Sequence, residues 1–330
     1  MVNSLSPSLR RVVVLGTGGT IAGRAASGGD NIGYTAGQVG VADLLGGIDA
    51  PEGLELVAEQ VAQLDSKDMS FDTWLQLAQR CAGRLAEADV AGVVITHGTD
   101  TIEETAFFLQ TVLAPGKPVV LTCAMRPASS LSPDGPQNVR DAIAVAAAPS
   151  AKGVTVVCAG AIHSALDVQK VHTYRPDAFA SGDAGPVGYV EEGAVRRLRD
   201  WPQSPAGKRS KILEAKPGTA TRWPRVEIVT SHAGASGAII DLLLQERAAG
   251  VAEPVRGLVL AATGNGTVHH ALEAAALRAH DAGVTVLRAT RCASGRILPR
   301  PDDRLRDAGA LTPVKARIAL MLELLETAAA

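Results

Sequence analysis

Short apolar runs alternate with longer amphipathic segments through the first half of the chain. The apolar runs predict strands at residues 12–15, 93–96, 119–123 and 154–158. The amphipathic segments predict helices at residues 38–45, 71–87, 102–113 and 138–148. Ser70 or Asp72 is the candidate cap of the second helix, and Thr101 with Glu104 forms a capping-box pattern at the third. This order of elements is typical of a parallel sheet with helices on both faces.

The alternation stops near Tyr189 and resumes after residue 223. Residues 191–223 are charged and contain Pro202, Pro205 and Pro217, which predicts a linker with little regular structure. Beyond the linker, the pattern predicts strands at 226–229, 257–260 and 284–288 and helices at 235–248, 269–282 and 313–326. The predicted fold class is α/β, with a larger amino-terminal domain at residues 1–190 and a smaller carboxyl-terminal α/β domain at residues 224–330.

Composition and charge narrow the possible partners. The chain has 330 residues, of which 46% are hydrophobic and 3% aromatic, so small aliphatic side chains must supply the core. The formal net charge of -2 favours neither nucleic acid nor an anionic membrane as a partner. No apolar run approaches the roughly 20 residues of a spanning helix. The run after Arg10 and Arg11 is too short for a signal peptide. We therefore predict a cytoplasmic protein.

The cysteines and histidines give no metal-binding pattern. No two cysteines form a Cys-x-x-Cys pair, so we expect reduced, mostly buried thiols. The chain has no His-Glu-x-x-His motif, and the adjacent His269 and His270 would point about 100° apart on a helix. The sequence therefore predicts no metal site. The four cysteines are Cys81, Cys123, Cys158 and Cys292.

A glycine-rich turn follows the first predicted strand and reads Gly16-Thr17-Gly18-Gly19-Thr20-Ile21-Ala22-Gly23. The carboxyl end of a strand is where open α/β sheets bind ligands. The turn is not a dinucleotide fingerprint, because Ile21 occupies the position of the third glycine, and it lacks the Walker A lysine. It is either a structural turn or a loop that presents the Thr20 hydroxyl to a ligand.

Residues 23–37 have the composition of a lid. They contain five glycines and few apolar side chains, and Tyr34 is their only aromatic residue. Such a segment cannot hold itself rigid. We therefore expect a hinged lid that closes over Thr20 and brings Tyr34 with it.

A second small-residue turn follows the strand at 93–96 and reads Thr96-His97-Gly98-Thr99-Asp100-Thr101. Thr99 and Asp100 fall at the amino terminus of a helix, where free N–H groups favour a ligand carboxylate, and Asp100 suits a ligand ammonium group. The alternative is plain helix capping. Two hydroxyl-bearing turns at one sheet edge predict nucleophilic catalysis at a carbonyl group. A threonine hydroxyl needs a base or a nearby cation, and Lys170 is one candidate among many.

The two turns resemble the two signatures of the bacterial L-asparaginase (asparaginase/glutaminase) family. Similar segments follow in the family's order from about residue 11 to 325, so the resemblance covers nearly the whole chain. These segments are Tyr34-Thr35-Ala36-Gly37, Ser66-Lys67-Asp68-Met69, Ala124-Met125-Arg126-Pro127, Asp134-Gly135, Asp167-Val168-Gln169-Lys170, Gly185-Pro186-Val187-Gly188, Gly264-Asn265-Gly266 and Pro313-Val314-Lys315-Ala316-Arg317.

The resemblance implies an L-asparagine amidohydrolase that requires no cofactor. L-Asparagine would be hydrolysed to L-aspartate and ammonia through a threonine nucleophile and an acyl-enzyme, with minor glutaminase activity. The implied fold has a larger amino-terminal flavodoxin-like domain and a smaller carboxyl-terminal α/β domain with a parallel sheet. The implied assembly is a homotetramer of close dimers, with active sites between subunits.

The resemblance also implies a role for each residue of the site. Thr20 would be the nucleophile and Tyr34 its partner on the lid. Thr99, Asp100 and Lys170 would form a second group, in which Lys170 helps protons move at Thr99. The implied substrate contacts are Ser66 and Asp100 at the polar head of the amino acid, and Asn265 at the site of the neighbouring subunit.

The chain departs from the family pattern at two places. Lys67 stands where family members commonly carry Gln or Glu beside the substrate's ammonium group, so we expect Lys67 to turn away or the ammonium to be held differently. Many secreted members carry a glutamate before the final helix that pairs with the lid tyrosine. Residues 296–303 contain no glutamate, and Asp302 or Asp303 is the candidate substitute.

Two other functions fit the same signatures. One is the asparaginase-like subunit of a tRNA-dependent amidotransferase, which usually has an extra amino-terminal domain, whereas only about ten residues precede the first predicted strand here. The other is a non-catalytic amino-acid-binding or sensing protein on the same fold. A sensor would not need the full set of Thr20, Thr99, Asp100 and Lys170, because binding alone requires no nucleophile.

Overall fold

The computed structural model describes residues 9–203, 209–215 and 221–328. The chain forms two compact units, Met1–Pro217 and Gly218–Ala330. The division between them lies inside the segment 191–223 that the sequence predicts as a linker.

The first unit is built on an eight-stranded sheet and a two-stranded ribbon. The sheet order is β10-β9-β6-β5-β4-β3-β1-β2, and β7 pairs with β8. The strands are β1 (Arg10–Gly18), β2 (Leu54–Leu64), β3 (Val90–Thr96), β4 (Pro118–Thr122), β5 (Gly153–Cys158), β6 (Ala161–Ser164), β7 (Gln169–Lys170), β8 (Phe179–Ala180), β9 (Gly188–Glu191) and β10 (Ala194–Arg197).

Strands β1 to β5 are parallel and lie in the order 2-1-3-4-5, which is the flavodoxin-like arrangement. The predicted flavodoxin-like fold is therefore confirmed. Strands β3, β4 and β5 are buried along their whole length, as expected for parallel strands covered on both faces. The sequence analysis missed β2, because burial along this strand is partial and follows no simple apolar run.

Four helices cover this sheet: α1 (Val41–Leu44), α2 (Phe71–Ala86), α3 (Ile102–Leu113) and α4 (Gly135–Ala147). The predicted helix at 38–45 is reduced to one turn, since glycines flank it on both sides. Ser70 caps α2 as predicted, because its hydroxyl accepts from the Thr73 amide. The capping box predicted at α3 is wrong for Thr101, whose hydroxyl donates to the Ser66 carbonyl at 2.7 Å and caps nothing.

Two short parts of the predicted linker, residues 194–197 and 211–214, have regular structure. Strand β10 pairs with β9 in an antiparallel hairpin, and a 3-10 helix covers Lys211–Glu214. Glu192 and Gly193 both have positive φ, at 49° and 78°, which is the geometry of a two-residue hairpin turn. Residues 204–208 and 216–220 of the predicted linker lie outside the described residues.

The second unit has a parallel sheet in the order β11-β12-β13-β14 with helices on its faces. This confirms the predicted smaller carboxyl-terminal α/β domain. Its strands are β11 (Arg225–Thr230), β12 (Val255–Ala262), β13 (Thr285–Thr290) and β14 (Arg306–Asp307), and its helices are α5 (Ala238–Ala248), α6 (His270–Asp281) and α7 (Pro313–Ala328). Among the described residues of the whole chain, no helix has the length and apolar character needed to cross a membrane.

Candidate active site

The two threonine turns lie side by side at the carboxyl edge of the first sheet. β1 pairs with β3, and Gly16 is opposite Thr96 at the end of both strands. The Thr17 hydroxyl crosses between them and donates to the Thr96 carbonyl at 2.9 Å. Gly19 has φ 80°, and a side chain there would overlap the backbone of Gly98. The glycines therefore allow the two turns to pack backbone against backbone.

Thr20 follows this contact and begins a one-turn 3-10 helix, Thr20–Ala22. Its hydroxyl lies 2.6 Å from the Tyr34 hydroxyl, although the two residues are 14 apart in the chain. A Cβ on Gly23 would lie 2.7 Å from the Tyr34 ring, so glycine leaves room for that ring. Thr20 and Tyr34 thus form the first hydroxyl pair of the site.

Residues 23–37, the predicted lid, are folded and hydrogen-bonded both at their base and to a neighbouring loop. Arg24 and Thr35 pair as an antiparallel bridge across the base of the lid. The loop after β4 contributes two backbone donors, Ala128 to the Gly23 carbonyl at 3.0 Å and Leu131 to the Gly28 carbonyl at 2.9 Å. The Ser129 hydroxyl accepts from the Ala25 amide at 2.8 Å. Tyr34 therefore reaches Thr20 through a folded, hydrogen-bonded loop.

Lys170 forms the centre of a second group, beside Thr99 and Asp100. Its ammonium donates to the Thr99 hydroxyl at 2.8 Å and to the Asp100 carboxylate at 2.6 Å. The ribbon β7–β8 carries Lys170 to this position, and the Lys170 amide donates to the Glu103 carboxylate of α3 at 3.1 Å. The Asp100 side chain is 54% exposed, so its carboxylate is accessible to a ligand as well as to Lys170.

Ser66 connects the second group to the loop that follows β2. It begins a 3-10 helix, Ser66–Asp68, and its hydroxyl accepts from the Asp100 amide at 3.2 Å. Lys67 turns out to solvent, where its ammonium lies 2.6 Å from Asp68 and 3.3 Å from Asp65. The hydrogen bond to Asp68, followed by that to Asp65, raises the Lys67 pKa. Lys67 therefore turns away, which is the first of the two alternatives expected from the sequence.

His97 is a buried residue of the second turn that the sequence analysis gave no role. It is 0% exposed, and its Nδ1 lies 2.7 Å from the Gly98 carbonyl oxygen. Burial lowers its pKa from 6.5 to about 4, so it is neutral at physiological pH. The signal in the sequence was a histidine directly between a buried strand and the Gly98-Thr99-Asp100 turn.

Asp134 and Asn138 shape the loop beneath the lid and were also missed as single residues. The Asp134 carboxylate accepts from the Met125 and Arg126 amides at 2.9 Å each. The Asn138 side chain donates to the Cys123 carbonyl and accepts from the Ala159 amide, both at 2.9 Å. These two side chains fix the ends of β4 and β5 next to the lid.

Asn265 lies in the second unit, where its side-chain amide is occupied within the same unit. It donates to the Leu298 carbonyl at 3.0 Å and accepts from the Leu298 amide at 2.7 Å. Asp303 pairs with Arg288 at 2.8 Å and accepts from the Arg300 amide, and the Arg288 contact comes first in lowering the Asp303 pKa. Both side chains therefore hold the loop that precedes α7.

No group of three or more His, Cys, Asp or Glu side chains is arranged to hold a metal ion in the part of the chain that the structure describes. The four cysteines are free thiols. Three of them are buried, and Cys292 is exposed.

Comparison with known proteins gives one family over nearly the whole chain. Residues 11–203 match the family described as "Asparaginase, N-terminal", and residues 225–329 match "Glutaminase/Asparaginase C-terminal domain". The chain is 36% identical over 325 residues to the L-asparaginase 2 of Bacillus subtilis (strain 168), covering 97% of this chain and 84% of that protein. It is 36% identical over 328 residues to the glutaminase-asparaginase of Pseudomonas fluorescens biotype A, covering 97% and 87%.

A solved structure shares the fold at similar sequence identity. The crystal structure of a protein described as a probable cytoplasmic L-asparaginase from Campylobacter jejuni superposes with a TM-score of 0.86 and is 35% identical. The match covers 96% of this chain and 95% of that one.

Proposed function

The chain belongs to the asparaginase family, and from that premise we propose that it is an L-asparagine amidohydrolase, forming L-aspartate and ammonia. One observation carries the assignment to this site. Two threonine hydroxyls at adjacent strand ends each lie within hydrogen-bond distance of a group that can exchange a proton, Tyr34 for Thr20 and Lys170 for Thr99. A merely binding site needs neither pair.

The proposed first step is attack by the Thr20 hydroxyl on the side-chain amide carbonyl. A bond forms between Thr20 Oγ1 and the carbonyl carbon, the Thr20 proton passes to the Tyr34 oxygen, and Tyr34 gives its own proton to the amide nitrogen. The carbon–nitrogen bond then breaks, and the protonated nitrogen departs as ammonia. Water hydrolyses the resulting ester, which releases aspartate and restores the Thr20 hydroxyl.

The developing oxyanion needs donors that are already in place. The Thr99 backbone N–H has no hydrogen-bond acceptor among the described residues, and it lies on the turn that packs against Gly19. We assign it as a donor to the oxyanion. Such a donor is typically worth roughly 3–4 kcal/mol of the barrier.

We propose that the second group, Thr99, Asp100 and Lys170, binds the substrate and transfers protons. The Asp100 carboxylate is exposed enough to bind the substrate's ammonium group, and Ser66 completes the pocket for its polar head. Lys170 donates to both Thr99 and Asp100, and it stabilises negative charge on the Thr99 oxygen when the Thr99 hydroxyl proton leaves. Asn265 is proposed to act at the site of the neighbouring subunit by supporting the loop at Leu298.

The proposals on assembly, cellular location and substrate range are based on the family and on the names of the similar proteins. We propose a homotetramer of close dimers, a cytoplasmic location as in the Campylobacter jejuni protein's description, and a minor glutaminase activity as in the name of the Pseudomonas fluorescens protein. No cofactor is proposed. Cell fractionation with tagged protein tests the location.

Ammonia release by the purified protein tests the function. We expect release from free L-asparagine, with a specificity constant about 10- to 200-fold above that for L-glutamine, because one extra methylene misplaces the carbonyl at Thr20. Binding of asparagine without ammonia release would indicate a sensor. Release only with a partner protein and charged tRNA would indicate an amidotransferase subunit, and equal specificity constants would contradict the asparagine preference.

A further inference from the structure

A buried chain of hydrogen bonds runs from α2 through α3 to the turn that carries Thr99. The Trp74 indole Nε1 donates to the Thr105 hydroxyl at 2.8 Å, and that hydroxyl lies 2.9 Å from His97 Nε2. His97 Nδ1 lies 2.7 Å from the Gly98 carbonyl oxygen. All three side chains belong to residues that are at most 3% exposed, so water does not compete for these bonds.

The chemistry of the two ends, together with a neutral imidazole, fixes the direction of every bond in this chain. An indole N–H only donates, so Thr105 accepts from Trp74 and keeps its own proton for His97 Nε2. A carbonyl oxygen only accepts, so His97 Nδ1 must carry a proton. Burial keeps the imidazole neutral, so its one ring proton is on Nδ1, and Nε2 has a lone pair that accepts from the Thr105 hydroxyl.

The last bond of the chain orients a peptide group next to the proposed reaction site. In a trans peptide the carbonyl and the following N–H point in opposite directions. Because His97 holds the Gly98 carbonyl, the Thr99 N–H points away from the imidazole. Gly98 has no side chain to resist rotation of this peptide, and a Cβ there would overlap the Ser66 hydroxyl.

We infer that His97, held in one tautomer by Thr105 and Trp74, is a positioning residue that sets the orientation of the Gly98–Thr99 peptide for the reaction. The inference rests on the proposed amidohydrolase activity. His97 touches no substrate in this role and acts through the peptide whose N–H is the proposed oxyanion donor. A misplacement of about 1 Å near reacting groups can cost roughly 100-fold in rate.

Two variants of Thr105 and a matched control test the chain without changing the catalytic threonines. Thr105→Val removes the hydroxyl at nearly constant shape, and Thr105→Ser restores it. Thr111→Val is the control, because Thr111 lies on the same helix and its hydroxyl donates to the Phe107 carbonyl, away from His97. We expect Thr105→Val to lower kcat for asparagine by roughly 10- to 100-fold with KM within about twofold. We expect Thr105→Ser to recover most of kcat, and Thr111→Val to keep it.

Two variants of His97 probe the bond to Gly98 itself. An asparagine can place its Nδ2 where His97 has Nδ1 and donate to the Gly98 carbonyl, whereas leucine cannot. We expect His97→Asn to retain more kcat than His97→Leu. Imidazole nitrogen NMR of the wild-type protein gives a readout besides activity, with Nδ1 protonated and Nε2 unprotonated from about pH 6 to 8.

The outcomes separate this inference from the proposed function. Wild-type protein that releases no ammonia from asparagine contradicts the function, while the NMR spectrum still tests the tautomer. Active wild type with unchanged kcat in Thr105→Val, or equal losses in Thr105→Val and Thr111→Val, overturns the inference. A proton on Nε2 overturns it as well. If His97→Leu does not fold, the Thr105 variants decide alone.

Discussion

At the scale of single residues, the proposed site consists of two threonine hydroxyl groups and the side chains that are hydrogen-bonded to them. Thr20 and Thr99 are each 6% exposed and lie on turns that follow strands. Neither side chain is part of the hydrophobic core. Truncating either one should therefore affect catalytic activity more than the stability of the fold. Stability and activity are therefore separable at these two positions.

Removal of either hydroxyl should abolish turnover. We expect Thr20→Ala and Thr99→Val each to lower kcat by several orders of magnitude, because each loses a nucleophile or its proton relay. Circular dichroism and melting temperature should stay close to wild type. A variant that keeps more than about one tenth of kcat, a loss of only ~1.4 kcal/mol, would mean that its threonine has no such role.

Two buried histidines make stability depend on pH. Burial comes first in lowering the pKa of His163 from 6.5 to about 4, with Arg199 adding to it, and its Nδ1 is hydrogen-bonded to Ser181. Burial also lowers the pKa of His97 from 6.5 to about 4. Between pH 6.5 and about 4, the unfolded chain binds protons that the folded chain does not. The stabilisation is therefore complete above about pH 6.5 and is lost as pH falls toward 4.

Denaturant titrations between about pH 4 and 8 check this dependence. Each histidine should contribute up to about 1.4 kcal/mol per pH unit to the fall in the free energy of unfolding. His163→Gln should reduce the slope below pH 6.5, whereas its difference from wild type should be constant above about pH 7. An unchanged slope in His163→Gln would contradict the assignment.

At the scale of elements, loops and turns at the ends of strands decide the geometry of the site. The lid brings Tyr34 to Thr20, and the ribbon β7–β8 brings Lys170 to Thr99. The lid is hydrogen-bonded to the loop after β4, and the ribbon is hydrogen-bonded to Glu103 of α3. The regular sheet beneath them supplies the rigid base.

The lid should open without ligand and close with it. Five glycines in residues 23–37 raise the entropy of the open state, and few apolar side chains add to the hydrogen bonds that hold the segment in place. Hydrogen exchange should show weak protection of the lid in the free protein and strong protection with aspartate bound. Tyr34→Phe should lower kcat more than it raises KM, because its hydroxyl acts mainly in the transition state. Equal, strong protection in both states would make Tyr34 a structural residue.

The β9–β10 hairpin and α2 offer a matched pair of glycines. Gly193 has φ 78° at the hairpin turn, whereas Gly83 lies on α2, and a Cβ meets no atom within 4 Å at either position. Gly193→Ala should therefore destabilise the chain by about 1–2 kcal/mol through backbone conformation alone. Gly83→Ala should stabilise it by roughly 0.5–1 kcal/mol. Urea denaturation measures both, and a neutral Gly193→Ala would contradict the two-residue turn.

At the scale of the whole molecule, the proposed function includes an assembly. If active sites lie between subunits, activity and assembly must be lost together on dilution. Sedimentation should give a species of four times the 33.9 kDa chain, and dilution that dissociates it should lower specific activity. A fully active monomer would contradict both the tetramer and the role proposed for Asn265.

The sequence by itself determined the fold class, the two threonine turns and the family. Each of these depends on local patterns, namely buried apolar runs, small residues at strand ends and short signatures. The sequence did not reveal β2 or β10, because β2 is only partly buried and β10 depends on a turn formed by Glu192 and Gly193.

Only the tertiary structure decided which side chains meet. Lys170 is 71 residues from Thr99, and no local pattern selected it from the other lysines. A tertiary contact also drew the Thr101 hydroxyl from its predicted cap to the Ser66 carbonyl, 35 residues away in the chain. The bond from His97 to Gly98 joins neighbours in sequence, but the tautomer that makes it depends on Trp74 and Thr105 from two helices. Hydrogen bonds between distant segments depend on chain topology, which local residue patterns do not encode.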